Sequence, residues 1–134
     1  MKKDITNRDD IVLLVNSFYD KVKVDAMIGH IFSDVAKVNW DHHLPIMYNF
    51  WAGILLDEHS YSGNPMIKHI DLSKRYALTE KHFQAWLQMF HQTVSELFEG
   101  KKADEAKSRA TNIAQIMLQK ISTSEQISQQ SIGT

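Results

Sequence analysis

Apolar side chains recur along this chain at intervals of three and four, and no stretch alternates with period two over the length of a strand. The pattern predicts an all-α fold. Its first stripe carries Ile11, Leu14, Val15, Phe18, Tyr19 and Val22, behind Thr6 and Asp9 at capping-box spacing, and predicts a helix from about Arg8 to Lys23. Gly29 interrupts the pattern. Ile31 and Phe32 then form an apolar pair on a short helix or turn, and Ser33 to Trp40 is a connector with an aromatic anchor at each end.

A second stripe places Ile46, Met47, Phe50, Trp51, Ile54 and Leu55 on one side of a helix. Pro45 lacks the N–H that an interior turn needs, so the predicted start lies at residues 42 to 44, with His43 in the first turn. Glu58 to Pro65 reads as a turn and Met66 to Leu72 as a short helical piece. Thr79 is placed to cap the strongest helix, marked by Phe83, Trp86, Leu87, Phe90, Val94, Leu97 and Phe98, with Gly100 where a C-terminal cap belongs. A last helix, Ala103 to Ile121, has Ala106, Ala110, Ile113, Ala114, Met117 and Ile121 in register. Residues 1–121 are thus expected to form the domain, and 122–134 a disordered polar tail.

Composition narrows the chemistry. A chain of 134 residues suffices for one well-buried core, and 15 basic against 16 acidic side chains give no electrostatic footprint for nucleic acid or an acidic membrane. No apolar run follows Lys2 and Lys3, and no apolar stretch approaches membrane-spanning length, so a cytoplasmic location is expected. With no cysteine, disulfides, thiolate ligation, iron–sulfur clusters and thioether-attached haem are excluded, which leaves seven histidines as the strong transition-metal ligands.

Those histidines do not pair. No two lie three or four apart, and the one His–carboxylate pair at that spacing is His30 with Asp34, so a zinc hydrolase or di-iron bundle is disfavoured. A phosphate loop and a nucleophile elbow are absent too. A single histidine can still anchor a metal when a macrocycle supplies the equatorial ligands, as in haem. His69 follows the Gly63-Asn64-Pro65 turn and precedes the helix of Trp86; Tyr19 offers a phenol and Trp86 an indole N–H that only donates. Donors of that kind stabilise the negative charge that dioxygen gains on a ferrous centre. Taken singly, Tyr19 and Trp86 read as core packing, His43 as a helix-start group and His69 as a turn histidine. Their joint order along the chain is what changes the reading.

That order resembles the truncated haemoglobins, the two-over-two globins, and within them the third group. The carrying residues are Phe18-Tyr19, Phe32, His43 ahead of Asn49-Phe50-Trp51-Ala52-Gly53, Lys68-His69-Ile70-Asp71-Leu72, and Trp86-Leu87 with Phe90. No Gly-Gly pair occurs, unlike the other truncated groups. The resemblance spans about Asp10 to Ile121 and implies a globin-like two-over-two helical sandwich around a non-covalent haem b, iron protoporphyrin IX. It implies His69 as the proximal iron ligand, Tyr19 and Trp86 as distal donors, and His43 at the distal gate. Phe18, Phe32 and Phe50 would line the porphyrin, while Arg75 and Tyr76 would meet its propionates. Expected ligands are dioxygen, nitric oxide, carbon monoxide or peroxide, with nitric oxide dioxygenase or peroxidase-like turnover left open and an unidentified reductase as electron donor.

The rival reading is a cofactor-free helical protein-interaction module whose aromatic faces pack only on one another. A globin-shaped pocket argues against it: several hundred Å³ left empty, at about 24 cal/mol per Å³, would cost on the order of 10 kcal/mol. That rivals the roughly 5–15 kcal/mol net stability of a domain.

Overall fold

The computed structural model describes residues 2–31, 39–57 and 79–132, and among them the chain forms four helices and no strand. These are α1 (Arg8–Lys23), α2 (Trp40–Leu55), α3 (Glu80–Leu97) and α4 (Lys101–Ile132). The all-α expectation holds, and α1 keeps its predicted bounds.

The start of α1 is capped one residue later than the Thr6–Asp9 spacing predicts. Asn7 is the cap, its side chain accepting the Asp10 N–H at 3.0 Å. The Asp10 carboxylate reaches back, accepting from the Thr6 N–H at 2.9 Å and from Lys3 Nζ at 2.6 Å. Burial alone would raise the pKa of Asp10, but Lys3 and Thr6 outweigh it and hold the carboxyl below its ordinary value. After α1 the chain folds back beneath the helix end at Gly29, where a Cβ would meet the Lys23 carbonyl oxygen at 2.9 Å and that of Val22 at 3.0 Å. Ile28 and Ile31 are thereby buried beside it.

Helix α2 begins at Trp40, ahead of the predicted 42 to 44. His42 and His43 already donate their N–H groups to the Asn39 carbonyl, at 3.1 and 2.9 Å. Pro45 therefore sits inside the helix, where it removes the one bond that would reach the Asp41 carbonyl near the helix end. The loss falls where a turn is only beginning, and the helix forms around it.

Thr79 caps α3 as predicted, with His82 in the place usually held by an acidic partner: its Nδ1 accepts the Thr79 N–H at 2.9 Å. Burial, with a smaller contribution from His30, lowers the basicity of this imidazole, consistent with an unprotonated Nδ1. Gly100, by contrast, does not close α3. The helix ends at Leu97 with Phe98 extended, and Gly100, at φ +140, leads into α4 by accepting the Asp104 N–H at 2.9 Å. A Cβ there would come within 2.6 Å of the Asp4 side chain. Asp4 uses that space: its carboxylate accepts the Lys102 and Ala103 N–H groups, both at 2.9 Å, capping α4 from the other end of the sequence.

The four helices pack as two layers of two. α1 lies with α2 and α3 with α4, and α1 against α3 joins the layers. Phe90, Val94, Leu14, Val15, Val22 and Leu55 are fully buried at the junction. Along α4, Ala103, Ala106, Ala110 and Ala114 are buried, small side chains that let the α3 backbone come close. His91 fixes that approach, its Nε2 within 3.1 Å of the Lys107 carbonyl and 3.0 Å of the Thr111 hydroxyl. The helical backbone continues past Ile121 to Ile132, through the segment whose polarity predicts disorder; neither glycine nor proline interrupts it before Gly133. No helix among the described residues is long and apolar enough to cross a membrane.

Candidate functional site

Phe18 and Tyr19 are consecutive on α1, and their side chains open two different walls. Phe18, 2% exposed, meets Trp86 edge-on at 5.7 Å and Phe90 edge-on at 5.3 Å. Phe90 is stacked between two indoles, Trp51 at 4.7 Å and Trp86 at 5.9 Å, both nearly parallel to it. Helical spacing explains the stack: Trp86 and Phe90 are four apart on α3, one turn above the other, while Trp51 arrives from α2. Trp86 is half-buried, and its indole N–H has no hydrogen-bond partner among the described residues.

Tyr19 builds the second wall. Its hydroxyl lies 3.3 Å from His43 Nε2, a hydrogen bond whose direction depends on the imidazole tautomer. Burial pushes the phenol well above its ordinary value, so Tyr19 is a neutral O–H group throughout the physiological range. His43 therefore faces inward, onto α1. The Trp40 ring completes the group, 5.3 Å from Tyr19 and 5.7 Å from the imidazole, with Lys23 Nζ 4.6 Å over its own centroid.

Of the residues singled out from the sequence, Phe18, Tyr19, His43 and Trp86 gather around these two walls, and Phe50 packs edge-on against Trp51 at 5.5 Å. Phe32, His69, Arg75 and Tyr76 lie outside the described residues. Trp40 and Lys23, which the sequence does not single out as candidates, stand beside the Tyr19–His43 pair. The signal was present: Trp40 is three residues from His43 on α2, and Lys23 four from Tyr19 on α1, so each shares a face with its partner.

The donor set suits one side of a haem pocket: a buried neutral phenol, an imidazole and an indole N–H along an aromatic wall, with no carboxylate among them. Comparison with known proteins agrees. The sequence pattern of the family described as bacterial-like globin matches residues 3–119, and the chain belongs to that family. Globins of this kind carry haem and take small gaseous ligands.

Within that class the chain is 33% identical over 117 residues to the group 3 truncated haemoglobin of Campylobacter jejuni, across 85% of this chain and 90% of that protein. The crystal structure of a group III truncated haemoglobin from Campylobacter jejuni superposes with a TM-score of 0.79 at 30% identity, covering 90% of this chain and 95% of that one. The two layers of helices are thus the truncated two-over-two globin sandwich.

Proposed function

We propose that this chain holds haem b non-covalently, with His69 as the proximal ligand, and that it binds dioxygen, nitric oxide or carbon monoxide in the cytoplasm. Haem, when bound, supplies a redox-active iron that takes diatomic ligands. The observation that carries the reading is the hydrogen bond between the buried Tyr19 phenol and the half-buried His43 imidazole, with Phe18 linking Tyr19 to Trp86.

Tyr19 and Trp86 act as donors to the ligand's outer atom, where negative charge develops. The phenol does so as a neutral group, because its burial keeps the proton on oxygen. His43 orients that hydroxyl and stands at the distal gate. Phe18 and Phe50, with Phe32, exclude water from the ring, which strengthens each polar contact inside. Donors this strong slow the escape of dioxygen, which suits turnover with nitric oxide, or of peroxide, better than carriage. Either reaction draws electrons from a reductase.

The test is the dissociation rate of dioxygen from Tyr19→Phe and Trp86→Phe holoproteins by stopped flow. Loss of a hydrogen bond to a charged acceptor, about 1.5–3 kcal/mol, predicts release roughly ten- to a hundredfold faster. Unchanged rates in both variants would remove the distal roles. Arg75 and Tyr76 are proposed to hold the propionates through paired donors; haem transfer from an Arg75→Ala, Tyr76→Phe protein to apomyoglobin should be faster, and an unaltered rate would discard that assignment.

A further inference from the structure

The geometry points to Trp40 as a positioning residue: backed by Lys23, it holds the His43 imidazole on the Tyr19 hydroxyl and so fixes the pair that meets an incoming ligand. This rests on the reading of Tyr19 and His43 as ligand-facing groups.

Four side chains on two helices make the device. Tyr19 and Lys23 are one turn apart on α1, and Trp40 and His43 one turn apart on α2, so each helix offers one polar and one backing group. Tyr19 meets His43 through the 3.3 Å hydrogen bond, and Lys23 meets Trp40 at 4.6 Å over the ring. Across the square, Trp40 presents itself to both members of the polar pair, tilted 58° on Tyr19 and near-perpendicular, 78°, to the imidazole. Edge-to-face contact of this kind is the favoured aromatic arrangement.

The pair needs such support. At 3.3 Å the hydrogen bond is longer than the usual range for an N or O donor, and His43, half-buried one turn inside α2, has staggered χ1 alternatives. An aromatic ring against the imidazole favours the one rotamer that keeps Nε2 on the phenol. Lys23 in turn steadies Trp40, the first residue of α2, through an exposed cation–π contact.

The experiment is infrared spectroscopy of the carbonmonoxy holoprotein, whose C–O stretching bands report the polar groups around the ligand. Tyr19→Phe and His43→Leu identify the bands that depend on the pair. In Trp40→Ala the population ratio of those bands should shift by up to about tenfold, the size of the lost aromatic contacts. In Lys23→Met, which keeps the stem and removes the charge, the shift should be roughly two- to fivefold. Trp40→Phe, with a ring edge retained, should restore most of the wild-type pattern. Wild-type band ratios in both Trp40→Ala and Lys23→Met would overturn the positioning role while leaving the distal reading intact. Should Tyr19→Phe and His43→Leu themselves leave the bands unmoved, the distal reading falls, and the role of Trp40 with it. Lys23 is exposed, so its variant gives an answer even where Trp40→Ala does not fold.

Discussion

Phe18 and Tyr19 are neighbours in sequence and nearly equal in burial, yet they serve two regions of opposite character. Around Phe18 the contacts are rings on rings, from Trp51 through Phe90 to Trp86, and their strength lies in buried area and parallel faces. Around Tyr19 a polar contact is added to the rings: its hydroxyl meets the His43 imidazole, while its ring touches Phe18 and a Trp40 indole braced by Lys23. The first region holds the layers of the sandwich together. The second sets a hydroxyl and an imidazole among the rings. A single helix can therefore feed both the core and the chemistry, because side chains one residue apart leave it about 100° apart.

The largest effect should come from breaking the first region. Phe90 is fully buried between two indoles, and Phe90→Ala should destabilise the fold by about 3–5 kcal/mol in denaturant titration. A loss below about 1 kcal/mol would mean that the stack collapses without consequence and that the two regions are not distinct. Tyr19→Phe, expected to speed ligand release, should by the same titration cost only about 1 kcal/mol. Trp86→Phe keeps a ring beside Phe90 and removes the N–H, so it shows which region Trp86 serves.

An effect smaller than that of Phe90→Ala lies remote from both regions. Asp4→Ala removes the cap of α4 and should cost about 1–2 kcal/mol without altering ligand release. The effect carries a pH signature. Burial raises the Asp4 value, but the N–H groups of Lys102, Ala103 and Ile5 outweigh it and hold the folded carboxyl below the unfolded one. Its stabilisation is therefore complete above the ordinary carboxylate range and lost as pH falls through the lower folded value. Wild type and variant should converge in stability at low pH; a constant gap would contradict the charged cap.

Much of this was legible in the sequence, and the exceptions share a cause. The bounds of α1 and the cap of α3 followed from local spacing, because apolar period and capping residues act within one turn. The start of α2 did not, since Pro45 bars one hydrogen bond and leaves the earlier residues free to wind. Gly100 looked like the end of α3, but its positive φ serves the entry to α4 beneath Asp4, a partner 98 residues from Lys102 that no local pattern announces. At the candidate site, the order of the chain brings Tyr19 and His43 forward together, whereas their contact and the presence of Trp40 beside them require two helices to be brought together.

Ligation of haem by His69 is tested most directly by the visible absorption spectrum of the protein expressed with ample haem, recorded as ferric, dithionite-reduced and carbonyl forms beside a His69→Gly variant. The expected result is a strong haem band at about one haem per chain, lost or converted to a weakly ligated form in the variant. A colourless, stably folded wild type, or a band indifferent to His69, would contradict it.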